Sequence, residues 1–347
     1  MSEPINTNRR RLIQTTVAGI GLMELTLSGF AHAKPSTNKA GGATSSAIGT
    51  FDDIKQIKVG TLNIGYVDVG PRNGPVVLLV HGWPYDIHSF AEVTPRLVSA
   101  GYRVIVPHLR GYGSTTFLST DTLRNGQQSV FALDLIGLLD ALKIERAVLG
   151  GFDWGARTVN IMAAMWPQRF TGMVSVSGYL IGSQAANTTP LPPEAELAWW
   201  YQFYFATERG QAGYEANRDA FNRLIWKLAS PHWNFDDATF NRSAQAFQNP
   251  DHVAIVIHNY RWRLGLVQGE PQHDELERQL AKGPTIAIPS ITMEGDANGA
   301  PHPQPAAYAK KFTGKYQHRN INGGIGHNLP QEAPKDFAQA IIDVTRL

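Results

Sequence analysis

The chain has 347 residues, 43% hydrophobic and 17% charged, with 33 Gly, 21 Pro and no Cys, a composition that excludes disorder, collagen and coiled coil. A formal charge of +2, from 31 Lys plus Arg against 29 Asp plus Glu, leaves no basic field for nucleic acid. Without cysteine there is no disulfide, thiolate nucleophile or cysteine-held metal, and the length implies one large domain with an insertion, or two domains.

In chain order, the first signal is an address. Arg9, Arg10 and Arg11 precede a mild apolar stretch from Thr15 to Phe30, and Ala31-His32-Ala33 follows it. This order predicts a cleavable export signal over 1–33, similar to a twin-arginine signal, which would place the protein in a bacterial periplasm. Glu24 interrupts the apolar run, and a membrane anchor would need about 20 apolar residues, so none is expected. Residues 34–50, rich in Ser, Thr, Ala, Gly and Lys, read as a flexible spacer.

From Gln56 onward, short β-branched runs alternate with helical-period segments. Ile57 to Val69 reads as a hairpin, and strands are expected at Val76 to Val80, Tyr102 to Val106, Ala147 to Phe152, Met173 to Val176 and Ile288 to Met293. Amphipathic stretches lie between them, as at Val130 to Leu142 and Arg157 to Trp166. Continuous apolar strands separated by helices predict an α/β fold with a mostly parallel sheet covered on both faces. The alternation stops near Tyr179 and resumes near Thr285. The expected division is a core over 51–182, a helical cap over 183–284 acting as a lid, and the rest of the core over 285–347.

Three motifs carry chemistry. After the strand Ala147 to Leu149 comes Gly150-Gly151-Phe152-Asp153-Trp154-Gly155-Ala156, then a helical pattern: a strand, a sharp turn and a helix. Glycines two before and two after a central residue are what a strained nucleophile elbow requires. The central residue is Asp153, whose carboxylate beside a helix N-terminus would stay ionised and nucleophilic; the competing role is a simple helix cap. The strand ending at Val80 runs into His81-Gly82-Trp83-Pro84. Amides of Trp83 and Trp154 would form an oxyanion hole, and His81, Gly82 and Pro84 are expected to line the substrate. Near the C-terminus, Gly323-Gly324-Ile325-Gly326-His327 places a histidine in a glycine-rich loop as a general base.

These motifs in this order resemble the α/β-hydrolase superfamily, in the branch with an aspartate nucleophile that comprises epoxide hydrolases and haloalkane and haloacetate dehalogenases. The resemblance covers about 50–347; Leu109-Arg110-Gly111-Tyr112-Gly113 also fits, and Gly-x-Ser-x-Gly occurs nowhere. It implies a helical cap inserted after the sixth strand. It also implies two cap tyrosines as proton donors to the epoxide oxygen, and Trp200-Tyr201-Gln202-Phe203 and His258-Asn259-Tyr260-Arg261 match at Tyr201 and Tyr260. Apolar lining is the alternative role for both.

A dehalogenase would need N–H donors for the departing halide. Trp154 offers one, with no clear second among Trp199, Trp200, Trp226, Trp233 and Trp262. Haloacetate dehalogenases share Arg157, but carry a second arginine where this chain has Trp154. Arg157 therefore reads as an ion-pair partner on its own helix. The family's third catalytic member follows a Gly-x-x-Asp pattern, and Gly295-Asp296-Ala297-Asn298 puts Asn298 at that spacing and Asp296 two residues early. Asp296 is expected to orient His327, with Asn298 as its substitute.

The resulting expectation is an epoxide hydrolase-like enzyme acting on a small apolar substrate and water, through an Asp153 ester hydrolysed by His327-activated water, with no metal or organic cofactor. The alternatives are a dehalogenase using the same aspartate and, in another class, a non-catalytic ligand-binding protein on this fold. Oligomeric state is not legible.

Overall fold

A computed structural model describes residues 51–347, so the expected export signal and spacer lie outside the described residues. The strands are β1 (Lys55–Val59), β2 (Leu62–Val69), β3 (Val76–Val80), β4 (Arg103–Pro107), β5 (Thr116–Phe117), β6 (Ala147–Gly151), β7 (Phe170–Val176), β8 (Ser290–Gly295) and β9 (Tyr316–Ile321). They form one sheet in the order β1-β2-β4-β3-β6-β7-β8-β9, with β5 pairing β2. The pairs β1–β2 and β2–β4 are antiparallel, and every pairing from β4 across to β9 is parallel. Strands β3, β6, β7 and β8 are almost wholly buried, and β3 and β6 carry no polar side chain, as the centre of a parallel sheet covered on both faces demands.

Helices α1 (Val93–Ser99), α2 (Gln128–Ala141) and α3 (Trp154–Met165) follow β3, β5 and β6. Six helices lie between β7 and β8: α4 (Pro193–Ala198), α5 (Trp200–Phe205), α6 (Glu208–Ala229), α7 (Asp237–Ala244), α8 (His252–Arg263) and α9 (Asp274–Ala281). The chain ends through α10 (Pro305–Tyr308), α11 (Leu329–Glu332) and α12 (Pro334–Val344). In α12 the buried positions Phe337, Ala340, Ile341 and Val344 recur at helical spacing and form its sheet-facing stripe. The two central glycines of β6 separate the faces. A Cβ at Gly150 would meet Ile341 and Leu79, whereas one at Gly151 would meet the Gly155 carbonyl at the start of α3.

Two expectations need correction. The cap follows the seventh strand in chain order, because the two-residue β5 has no hydrophobic run to announce it. The edge strand β9, Tyr-Gln-His-Arg-Asn-Ile, was also not predicted: one of its edges is unpaired and it is only partly buried, so its sequence carries little apolar alternation. Among the described residues no strand occurs in 183–284, and no helix is long and apolar enough to cross a membrane.

Register fixes where the chemistry sits. Val80 pairs with Gly151, and Gly151 with Ser175, so the carboxyl ends of β3, β6 and β7 open side by side. The turns after β3 and β6 therefore meet. The cap closes over them through Trp226 of α6, whose Nε1 donates to the Pro84 carbonyl at 2.6 Å. Tyr214 of α6 adds a second tie, its hydroxyl accepting from Trp83 Nε1 at 2.9 Å and lying 2.9 Å from His252 Nε2 on α8.

The elbow has no spare volume. A Cβ at Gly155 would stand 1.9 Å from the Val80 carbonyl oxygen, a backbone atom that cannot move without shifting β3. Gly155→Ala is expected to lower stability by about 1–3 kcal/mol, read as a fall in the urea midpoint at constant slope. Gly182→Ala, where nothing lies within 4 Å, serves as the control. An unchanged midpoint for Gly155→Ala would show that the turn is not closely packed.

Candidate active site

Asp153 occupies the turn between β6 and α3 with φ 54°, a left-handed conformation that a side chain other than glycine rarely adopts. Its side chain makes no capping hydrogen bond to α3, so the helix-cap role does not hold it. Instead Oδ1 accepts the Trp83 amide at 2.8 Å, and Oδ2 lies 3.2 Å from His327 Nε2. Burial alone would raise the Asp153 pKa; the bond and charge of His327, with the amides of Trp154 and Trp83, outweigh it and hold the carboxyl below its usual value. Gly82 makes this approach possible, since a Cβ there would fall 2.4 Å from both Asp153 Cβ and Oδ1.

His327 sits in the loop between β9 and α11. Its amide donates to Ser230 Oγ of the cap at 2.9 Å, and its ring Nδ1 donates to Asn298 Oδ1 at 3.2 Å. Burial pulls the imidazole pKa down, but the hydrogen bond and charge of Asp153, joined by the charges of Glu294 and Glu332, leave it raised. Asn298 in turn donates through Nδ2 to Glu294 Oε1 at 2.7 Å. Glu294 is the penultimate residue of β8 and is buried. The orienting chain is thus imidazole, amide, carboxylate.

Asp296, the expected orienting acid, is elsewhere. Its carboxylate accepts the amides of Gly323, Gly324 and Ile325 at 3.0, 2.9 and 2.9 Å, and these bonds, that from Gly323 foremost, keep its pKa low. It shapes the loop that carries His327 without touching the ring. The physical reason is position: Asp296 meets the three consecutive free amides of a glycine-rich turn, a stronger anion site than one imidazole N–H. Asn298, the named substitute, is the residue that meets His327.

A cavity of about 240 Å³ opens between this group and the cap. Trp83, Asp153, Trp154, Tyr201, Tyr260 and His327 all line it. The two cap tyrosines face each other with ring centroids 5.5 Å apart, and Trp83 contacts both, at 5.1 Å to Tyr201 and 5.4 Å to Tyr260. Burial, with the charge of Asp153 adding, raises the pKa of Tyr201; for Tyr260 burial leads and the neighbouring Tyr201 and Asp153 add. Both are therefore neutral hydroxyls.

Three expected substrate contacts are not at the cavity wall. His81 is fully buried behind it, its Nε2 accepting the Leu109 amide at 3.2 Å, and desolvation lowers its pKa to about 4, so it serves as a neutral brace. Gly82 acts by its lack of a side chain, and Pro84 offers its carbonyl to Trp226. Of this turn only Trp83 lines the cavity. Its Nε1 is taken by Tyr214, and Trp154 is directed to the Tyr260 hydroxyl, so no free pair of indole donors faces one point as halide release would need.

Arg157 also departs from expectation. It lines the cavity and has no carboxylate within 4.0 Å among the described residues, because the one carboxylate on that cavity, Asp153, is engaged by the Trp83 amide and His327. Sequence reasoning missed Glu294 and Arg263. An acid inside the otherwise uncharged run Ser290 to Gly295 was a signal for the first. Spacing was the signal for the second, since Arg263 lies three residues after Tyr260 on one face of α8.

The α/β hydrolase fold family matches residues 75–319. An epoxide hydrolase of Caballeronia sordidicola is 38% identical over 315 residues, covering 84% of this chain and 94% of that one. Epoxide hydrolase A of Mycobacterium tuberculosis is 27% identical over 301 residues, covering 80% and 92%. A crystal structure of a candidate epoxide hydrolase from Klebsiella pneumoniae superposes with a TM-score of 0.86 at 61% identity, covering 86% of this chain and 99% of that one.

The relay makes a testable statement about pH. A raised pKa keeps His327 protonated to higher pH, so any reaction that needs the neutral ring falls off on the acid side. Removing a charge that raises the pKa moves that limb down. Glu294→Gln is expected to shift the acid limb of kcat to lower pH by roughly half a unit to one unit. The weaker base would also lower the plateau about three- to ten-fold. A limb that stays in place would show that the Glu294 charge is not felt at the imidazole.

Proposed function

Because this chain belongs to the α/β-hydrolase fold family and is an epoxide hydrolase-like hydrolase, we propose that it opens an epoxide to a diol in two steps on Asp153. The observation that carries the reading is the division of labour at its carboxylate. Oδ1 accepts the Trp83 amide, and Oδ2 faces His327 on a cavity also lined by two neutral tyrosines.

In the first step Oδ2 attacks the less hindered epoxide carbon as the C–O bond breaks. The emerging alkoxide takes a proton from Tyr201 or Tyr260. Burial makes these phenols weaker acids than usual, but an alkoxide is a far stronger base than a phenolate and still takes the proton. Their hydrogen bonds strengthen as charge develops, which stabilises the transition state more than the bound epoxide. The product is a hydroxyalkyl ester with Oδ1 as its carbonyl oxygen.

Ester formation itself prepares the second step. It removes the Asp153 charge, the largest influence raising the His327 pKa, so the imidazole becomes a free base when it is needed. His327 Nε2 takes a proton from water as the water oxygen bonds to Cγ. The tetrahedral oxyanion forms on Oδ1, held by the amides of Trp83 and Trp154. Collapse expels Oδ2 with the diol, which receives the proton from His327, and the remaining water proton returns to the tyrosine. Asn298 holds the ring tautomer, and Glu294 supports the transient imidazolium through it.

The test is the intact mass of His327→Gln after exposure to styrene oxide. Loss of the base slows ester hydrolysis by at least about 100-fold, so an adduct of the whole epoxide mass, mapping to Asp153, is expected. Tyr201→Phe and Tyr260→Phe should each slow adduct formation about ten- to 100-fold, with binding little changed. Free halide released from haloalkanes, with no epoxide adduct, would move the reaction to dehalogenation. Tight ligand binding that survives Asp153→Asn, with no adduct from either class, would make this a binding protein.

A further inference from the structure

The cavity beside Asp153 is not an apolar box. Two guanidinium groups enter it, Arg157 from the first turn of α3 and Arg263 from the last turn of α8. Among the described residues neither lies within 4.0 Å of a carboxylate, and neither side chain donates a hydrogen bond, whereas three other arginines of α6 and α8 each have an acceptor. Arg218 donates to the Phe247 carbonyl, Arg223 pairs with Asp237, and Arg261 reaches Phe205 and Glu208. The Arg263 guanidinium carbon lies 5.9 Å from the centre of the Trp199 ring and 5.6 Å from that of Tyr260.

Protein interiors do not retain such groups idly. A guanidinium offers five N–H donors in a planar fork, and two of them facing one partly enclosed space repel each other unless anions balance both. Burial first, and the like charge of Arg263 second, lower the Arg157 pKa to about 10. Asp153 is the one carboxylate among the cavity-lining residues, and it is already engaged by an amide and an imidazole. The cavity therefore carries an excess of positive charge that its own residues leave uncompensated.

We propose that Arg157 and Arg263 form a subsite for an anionic group of the substrate, so that the enzyme acts on small epoxides bearing a carboxylate. The chemistry fits the positions. Arg157 follows Asp153 by four residues, one helical turn or roughly 6 Å along α3, and Arg263 follows the tyrosine donor Tyr260 by three on α8. A carboxylate accepting from both guanidinium forks would thus leave a neighbouring oxirane between the Asp153 carboxylate and the two tyrosine hydroxyls. The arginines also offset the repulsion that an anionic nucleophile exerts on an anionic substrate, which an apolar lining would leave unopposed. Trp83, Trp199 and Ile225 supply an apolar wall for the rest of the molecule.

The substrate class rests on the epoxide-opening reading, but the anion subsite is measurable apart from it. The full chain is assayed with the trans-3-phenylglycidate anion, its neutral amide and styrene oxide, and binding of phenylacetate and phenylacetamide is measured by calorimetry. The expected result is a kcat/KM for the glycidate at least ten-fold above that for the amide. Arg263→Gln and Arg157→Gln should each lower that ratio ten-fold or more, chiefly through KM, and phenylacetate should bind the unaltered chain at least ten-fold tighter than phenylacetamide. Equal use of acid and amide, a ratio unmoved by Arg263→Gln, or equal binding of the two phenylacetyl compounds would overturn the subsite while leaving epoxide opening intact. Preferential binding of phenylacetate with no turnover of any epoxide would support the subsite and overturn the reaction. Either arginine variant suffices should the other fail to fold.

Discussion

The structure depends on an ionised carboxylate held in a strained turn at the floor of the cavity. Asp153 keeps its charge because the Trp83 and Trp154 amides and the His327 ring bind the charged form more strongly than burial penalises it. That arrangement places demands on everything around it. The positive φ at Asp153 needs the chain to turn within one residue, so Gly151 and Gly155 pack backbone to backbone, and Gly82 lets the next turn reach the carboxylate. The parallel register that aligns β3 with β6 exists at the same point, because it brings the amide of Trp83 over the end of β6. A fold built to carry that aspartate also builds the cavity beside it.

The histidine is supported differently from the usual arrangement of an adjacent carboxylate. A carboxylate in direct contact with the ring would raise the imidazole pKa further and would resist release of the proton from the ring in the free enzyme. An interposed amide fixes the tautomer geometrically while the Glu294 charge acts at one remove. Hydrogen bonding to a carboxylate polarises the Asn298 amide, so its oxygen is a better acceptor than that of an isolated asparagine. Asp296 is released to another task, pinning the three amides of the loop that presents His327. Two acids at neighbouring positions thus divide orientation and loop shaping between them.

What was legible in the sequence follows from how local each signal is. The elbow, the His81 to Pro84 turn and the histidine loop are each written in a handful of consecutive residues; the first two follow the strands expected of them, and the third follows β9, a strand the sequence did not announce. The alternation of apolar strands with helices gave the architecture because burial on both faces leaves little freedom in composition. Strand β5 and the polar edge strand β9 were missed because backbone pairing with one neighbour requires no hydrophobic pattern. The acid relay was misassigned because it depends on where two side chains of one loop turn, and spacing does not encode that. The two unpaired arginines were invisible for the opposite reason. An arginine with a partner and one without look identical until the fold shows which carboxylates are near. Tyr201 and Tyr260, separated by 59 positions of the chain, meet because α5 and α8 cross over Trp83, a juxtaposition that only the cap's tertiary packing creates.

The central claim is that Asp153 bonds covalently to the substrate and that water attacks its carbonyl carbon rather than the epoxide. A single turnover in water enriched in oxygen-18, with enzyme in excess over styrene oxide, separates these paths most directly. The heavy oxygen is expected in the peptide containing Asp153, because the water oxygen remains on Cγ, while the diol from that turnover carries an unlabelled oxygen taken from the aspartate. Label in the diol and none in Asp153 would mean that water opens the epoxide directly, and would contradict the ester.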